Sequence, residues 1–299
     1  MSLLDTPLCE LLGVRFPLVQ APMANNAPPA LAAAVSSAGA LGSVAGGTLS
    51  PDVLRAAIRE VRDTTDRPFA VNLFAPPYLR DGALEVVLEE RPRVFSFTFG
   101  VLDTAALREA GIVVLGTATS LAEARALEHA GVDAVVAQGA EAGGHRGSFL
   151  DGFPLVPLRE LVPACVDAVS LPVAAAGGIM DGAGIVEMLS LGAAGASLGT
   201  AFLFAREAGR PREHLEALRS LETVVTDAYT GRPMRAARTP ALEELMAGPA
   251  PLPFPEQRAI AAEKGPLFMG GTGATRGREL DAADLVRLLA AEVEAAGGR

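Results

Sequence analysis

The chain has 299 residues, half of them hydrophobic, and a formal net charge of −10. That length suits one large domain or one and a half, with enough apolar material for a sizeable core. The acidic balance argues against non-specific nucleic-acid binding and against an anionic membrane surface.

The opening residues, Met1-Ser2-Leu3-Leu4-Asp5, carry no basic segment, so no signal peptide is expected. An uncharged run from Phe16 to Pro51 is broken by Pro17, Pro22, Pro28, Pro29 and several glycines, which excludes a spanning helix. A cytoplasmic location follows as the expectation, with Cys9 and Cys165 as buried thiols, because they lack metal or redox spacing. Lys264 is the only lysine and follows no strand, which argues against Schiff-base chemistry and against a Walker-type phosphate loop.

Short apolar runs alternate with amphipathic helices along the first two thirds of the chain. Phe16–Gln20 reads as a strand, followed by a helix over Ala30–Ser37 that Gly39 closes. Leu41–Ala45 is the second strand, and Ser50-Pro51-Asp52 opens a helix that runs to Thr64. Strands over Phe69–Phe74 and Val94–Phe99 flank a helix over Leu84–Glu90, and a helix over Thr104–Ala110 follows. Ile112–Gly116 is the fifth strand. Ser120-Leu121-Ala122-Glu123 has capping-box spacing for a helix reaching His129. Val132–Ala137 is the sixth strand, then come a helix over Leu158–Val169 interrupted near Pro163, a strand over Leu171–Ala176, a helix over Asp181–Leu191 and a short eighth strand, Gly195–Leu198.

Eight strands with helices between them predict a parallel sheet closed into a (β/α)8 TIM barrel. A doubly wound sheet would open on a glycine-rich turn, whereas the first turn here is Gln20-Ala21-Pro22-Met23. The rhythm changes after Phe204, with a charged helix over Arg206–Arg219, a strand over Thr223–Thr226, four prolines between Gly248 and Pro255, and a final helix over Asp281–Ala296. The expected division is a barrel over 1–205, an accessory segment over 206–270 covering the mouth, and a C-terminal helical segment over 271–299.

Barrel chemistry sits in the loops after the strands. The densest such loop is Gln138 to Ser148, with four glycines, Glu141, His145 and Arg146 in eleven residues. Gly177-Gly178 and Gly199-Thr200 follow the last two strands, where backbone N–H groups suit a phosphate. Asn72 and Gln138 are amides at strand ends, able to meet the edge of a neutral heterocycle or to cap neighbouring strands. His129 ends a helix and His214 stands among Arg212, Glu213 and Glu216, so both read as surface residues. His145 alone lies in a mouth loop, as general base, electrostatic partner or metal ligand, and no second histidine or cysteine is close enough in sequence for a metal site. Glu141 and Arg146 could pair within the loop.

Taken together, Gln20-Ala21-Pro22-Met23, Ala137-Gln138-Gly139 with Glu141-Ala142-Gly143-Gly144-His145, Ala175-Ala176-Gly177-Gly178-Ile179 and Leu198-Gly199-Thr200 resemble the motif set of the nitronate monooxygenases, also called 2-nitropropane dioxygenases. Thr230-Gly231-Arg232-Pro233 resembles a further element of that family. The resemblance implies an FMN-dependent TIM barrel. It places FMN contacts at Met23, Asn72, Gln138, Gly143, Gly178, Ser197, Leu198, Gly199 and Thr200, and the catalytic base at His145. It implies oxidation of alkyl nitronates such as propionate 3-nitronate with O2, with no nucleic-acid or membrane partner and a homodimer as the possible assembly. The enoyl-acyl-carrier-protein reductases of the FMN-barrel type share the Ala-Gly-Gly-His loop, so an NAD(P)H-dependent FMN reductase of an enoyl thioester or quinone is the alternative. Gly270-Gly271-Thr272-Gly273 departs from both patterns.

Overall fold

The computed structural model describes residues 3–150 and 152–297. Met1 and Ser2 of the opening segment, and the last two positions of the 271–299 segment, lie outside the described residues. Eight parallel strands build the wall: β1 (Leu18–Gln20), β2 (Gly42–Ala45), β3 (Phe69–Phe74), β4 (Val94–Thr98), β5 (Val113–Ala118), β6 (Ala134–Gln138), β8 (Val173–Ala176) and β9 (Gly195–Leu198). Between β6 and β8 lies a two-residue strand, β7 (Gly144–His145), which joins a different sheet. The wall strands bond in the order β1-β9-β8-β6-β5-β4-β3-β2. A parallel bridge between Val19 and Leu41 links the two ends, and the Gln20 N–H donates to Leu41 O at 2.8 Å. The fully buried Gln20 side chain tightens the same seam, its Oε1 accepting from the Ser43 N–H at 2.8 Å. The expected (β/α)8 barrel is the fold observed.

Alternation along the strands separates two apolar layers. Val19, Ala70, Val94, Val113, Leu115, Ala134 and Ala174 pack with Leu8 and Leu12 in one cluster. Their neighbours Leu18, Val71, Phe95, Val114, Val135 and Val173 belong to a larger cluster with the surrounding helices. Helix Pro7–Leu12, not anticipated in the sequence, thus supplies two leucines to the barrel interior. A Cβ on Gly195 would stand 2.5 Å from the Leu8 side chain, so the last strand is small where this helix docks.

A second, three-stranded sheet lies outside the wall. β10 (Thr223–Thr226) and β11 (Met234–Ala237) pair antiparallel, and β7 adds to β11 through Met234↔His145 and Arg235↔Gly144. The mouth loop after β6 is therefore fastened to residues almost a hundred positions later.

Four local expectations change. Helix Leu158–Ala168 runs through Pro163 without a break. The missing N–H there removes one helix bond, and Arg159, whose carbonyl loses it, is exposed to water. The charged segment after Phe204 is two pieces, a 3-10 turn at Arg206–Ala208 and a helix at Arg212–Ser220, divided by left-handed Gly209 and by Pro211. His214 is buried, not solvated: it shares the inward face with Leu218, lies against Phe268 at 5.1 Å between ring centroids, and its Nε2 is 3.1 Å from Met269 O. The capping box is only half formed. Ser120 Oγ accepts from the Glu123 N–H, but the buried Glu123 carboxylate turns to the N–H and hydroxyl of Thr119 and the N–H groups of Phe149 and Leu150.

Candidate active site

The loop after β6 is held by its own side chains. Gln138 closes it: Nε2 donates to His145 O at 3.1 Å, and Oε1 accepts from the Gly147 N–H at 2.8 Å. Gly144 supplies the turn, at φ +74°, a region that L side chains rarely adopt. Arg146 is fully buried and donates to Gly139 O at 2.7 Å and Gln138 O at 2.9 Å. Burial lowers its pKa to about 10, which leaves it charged at neutral pH. The two Glu141 oxygens accept from the Leu158 N–H at 3.2 and 3.0 Å. The two charged side chains of the loop each serve backbone partners, and the Glu141–Arg146 ion pair considered above is not formed among the described salt bridges.

This framework presents the His145 ring to an aromatic enclosure. Phe99 and Phe254 meet it edge-on, at 5.9 and 5.2 Å between centroids. Nε2 lies 3.1 Å from Thr230 Oγ1. Behind Phe99, the Arg232 guanidinium stacks 4.1 Å from the ring centroid and donates to Arg146 O and Ser148 O. Desolvation, then the charges of Arg232 and Arg258, push the His145 pKa down to about 3. The imidazole is therefore neutral across the neutral pH range. The uncharged ring keeps a nitrogen lone pair that can take a proton and carries no charge to pair with an anion, while the burial and the two arginines that hold it neutral also weaken it as a base. Among the described residues no group of three or more histidine, cysteine or acidic side chains could hold a metal ion.

A different construction marks the ends of β8 and β9. Gly178 is left-handed at φ +68°, and a Cβ there would come within 3.0 Å of Glu141. Gly199 is more open: its nearest neighbours are Ala21 at 3.5 Å and Met23 Sδ at 3.8 Å. The N–H groups of Gly178, Gly199 and Thr200 donate to no acceptor among the described residues. Thr200 Oγ1 accepts from the Gly271 N–H at 2.8 Å. Ser197 is buried on β9, opposite Val19 and Ala176, while the Leu198 side chain packs in the main core. Asn72 stands apart on β3, its Nδ2 donating to Ser96 Oγ at 3.0 Å. Gly143 faces the C-terminal segment: a Cβ there would be 2.5 Å from backbone atoms of Gly270 and Gly271. The structure thus gathers Met23, Gly178, Ser197, Gly199 and Thr200 on neighbouring strand ends, with Gln138, Gly143 and His145 in the adjoining loop. Thr230, Arg232, Phe99 and Phe254 carried no assigned role in the sequence. The signal for Thr230 and Arg232 was the motif they share, which says nothing of where its side chains point.

A parallel barrel with a glycine-built rim of backbone donors beside an enclosed neutral histidine defines a barrel enzyme that binds a phosphate-bearing cofactor. The nitronate monooxygenase family model matches residues 5–80 and 77–292. A nitronate monooxygenase of Paraburkholderia phytofirmans is 39% identical, covering 96% of this chain and 94% of the relative. A probable nitronate monooxygenase of Staphylococcus saprophyticus is 40% identical over 78% of each chain. The solved nitroalkane oxidase of Streptomyces ansochromogenes superposes with a TM-score of 0.91 at 37% identity, covering 97% of this chain and 99% of that one. FabK of Thermotoga maritima superposes at 0.85 with 32% identity, over 98% and 97%. The chain belongs to the nitronate monooxygenase family. It is a flavin-dependent oxidoreductase, and its cofactor is FMN.

The residues present fit that cofactor. Three backbone donors without partners stand at neighbouring strand ends, at two of which the side chain is absent, and this is the chemistry a phosphate group requires. No helix of the described residues is long and apolar enough to cross a membrane.

Proposed function

We propose that the protein oxidises alkyl nitronates, such as propionate 3-nitronate, and that His145 acts as the base when the substrate arrives as the neutral nitroalkane. The observation that carries this reading is the neutral imidazole held between Phe99 and Phe254, with the Arg232 charge close behind. The aromatic walls exclude water from an alkyl substrate, and the neighbouring guanidinium favours the anion left when an α-proton is removed. Gly178, Gly199 and Thr200 would hold the FMN phosphate through their N–H groups. Met23, Asn72, Gln138, Gly143, Ser197 and Leu198 complete the proposed contacts, with Leu198 serving through its backbone. Bound FMN supplies the electron acceptor that connects substrate oxidation to O2. Residues 206–270 act in this proposal as the accessory segment over the barrel of 1–205, with Thr230, Arg232 and Phe254 as its contributions to the substrate side, and 271–299 as the C-terminal segment.

The test is anaerobic. The purified holoprotein is mixed separately with propionate 3-nitronate, NADH and NADPH while flavin absorbance is followed. Bleaching by the nitronate is expected. Rapid bleaching by NADH or NADPH with none by the nitronate overturns the proposal in favour of a reductase of an enoyl thioester or quinone.

A further inference from the structure

We infer that Thr230 fixes the tautomer of His145, so that Nδ1 is the nitrogen that takes the substrate proton. This rests on the reading of His145 as base and adds which of its two nitrogens does the work and what keeps it free.

The tautomer follows from a count of hydrogens. A threonine hydroxyl has one proton to donate and two lone pairs to accept with. Thr230 is buried, and its Oγ1 donates to Arg232 O at 2.9 Å. That carbonyl receives no other hydrogen bond among the described residues, so withdrawing the hydroxyl would leave a buried acceptor unsatisfied. The proton being committed there, Thr230 Oγ1 can only accept from His145 Nε2, 3.1 Å away. Nε2 is therefore the protonated nitrogen. Nδ1 carries the lone pair, and it has no hydrogen-bond partner among the described residues.

The surroundings hold Thr230 in this role. The N–H groups of Thr230 and Gly231 both donate to Asp227 O, at 3.1 and 2.7 Å, which closes a tight turn. Gly231 is left-handed at φ +78°, and a Cβ there would lie 2.1 Å from Leu252 O, so the turn is pressed against the segment that carries Phe254. Arg232, the residue whose carbonyl takes the proton, is itself anchored to Arg146 O and Ser148 O. The base and the residue that orients it are thus tied to the same loop.

The step balances without a further reactant. The C–H bond α to the nitro group breaks, its electron pair enters the C=N bond of the nitronate, and the proton moves to Nδ1. The imidazolium that forms keeps its Nε2–H bond to Thr230.

Thr230 acts as a positioning residue, and its test reads the tautomer directly. Long-range nitrogen–proton NMR on 15N-histidine-labelled holoprotein is recorded for wild type, Thr230→Val and Thr230→Ser, with His145→Ala identifying the His145 signals. Wild type and Thr230→Ser are expected to show a protonated Nε2 and a bare Nδ1, and Thr230→Val a shift toward protonated Nδ1. Thr230→Val is also expected to lose at least about tenfold of its turnover on a neutral nitroalkane, approaching the ~10²–10⁴-fold that a general base supplies, and less on the preformed nitronate. A protonated Nδ1 in wild type, or an unchanged tautomer in Thr230→Val, overturns the inference. The wild-type spectrum decides alone if the valine variant does not fold. Full nitroalkane turnover by His145→Ala would instead remove the base and leave the tautomer assignment standing.

Discussion

The two sides of the barrel mouth are built from opposite materials. At the ends of β8 and β9 the chain presents backbone: Gly178 and Gly199 have no side chains, and their N–H groups remain without acceptors among the described residues. Around His145 nearly every polar group is engaged, by Gln138, Thr230, Arg146 and Arg232. A phosphate needs several converging donors at short range, and peptide N–H groups supply them with little side-chain entropy to lose. A proton transfer needs one ring atom in one protonation state, which demands a fixed tautomer and fixed neighbours. The glycine rim, where we propose the FMN phosphate, is thus sensitive to added atoms, while the surroundings of His145, proposed to face the substrate, are sensitive to removed ones.

The sharpest break of that contrast is His145→Ala. Turnover of neutral nitroalkanes is expected to fall by ~10²–10⁴-fold while flavin stays bound, read by steady-state rates beside the flavin-to-protein absorbance ratio. Flavin loss in this variant would show that the two sides are not separable.

Glu123→Gln tests the surroundings of His145 at their support. The carboxylate accepts from the Thr119 N–H at 2.7 Å, the Thr119 hydroxyl at 2.8 Å, and the Phe149 and Leu150 N–H groups at 2.6 and 3.1 Å. An amide turns one acceptor into a donor that faces donors. A stability loss of about 1–3 kcal/mol is expected in chemical denaturation.

Gly178→Ala tests the glycine rim. The left-handed backbone costs an L residue about 1–2 kcal/mol, and the new methyl would press on Glu141, whose carboxylate secures Leu158. A stability loss of about 1–2 kcal/mol is expected in chemical denaturation, together with weaker FMN retention as the backbone shifts its N–H, and with nitroalkane turnover recovering in excess FMN.

The last expected effect is a slope, of at most about 1.4 kcal/mol per pH unit. The folded His145 pKa, about 3, lies below its ordinary value of 6.5. Between those values the unfolded chain binds a proton that the folded chain refuses, so stability rises with pH across that window and is lost as pH falls through it. His145→Asn is expected to flatten the dependence in denaturation series run from pH 6.5 downward. An identical slope in the variant would place the ring in a less desolvated setting than the structure gives it.

These outcomes bear on parts of the molecule that differ in how readily the sequence discloses them. β3 and β9 coincide with the expected Phe69–Phe74 and Gly195–Leu198 from end to end, because buried parallel strands are short apolar runs between turn signals. β7 had no such signal: two residues, one of them glycine, become a strand only because β11 lies beside them. His214 was misplaced by its charged neighbours, although its spacing from Leu218, four positions on, is that of one helix face. Gly143 was legible only as a glycine of the dense loop and as a contact that the family resemblance implies. The contact that excludes a side chain there, the backbone at Gly270-Gly271, is a tertiary fact. His145 was legible from its place after the sixth wall strand, but its protonation state depends on Arg232, Arg258 and burial, none of which is local.

The pairing of β7 with β11 also sets an order of events during synthesis. All eight wall strands are complete by Leu198, whereas the strand that aligns His145 begins at Met234 and the backbone that meets Gly143 arrives at Gly270. A chain emerging from the ribosome forms its N-terminal contacts first. The nascent protein therefore holds every wall strand before it holds the strand that aligns His145, and the last helix, whose Leu285, Val286, Leu289 and Val293 belong to the main core, arrives later still.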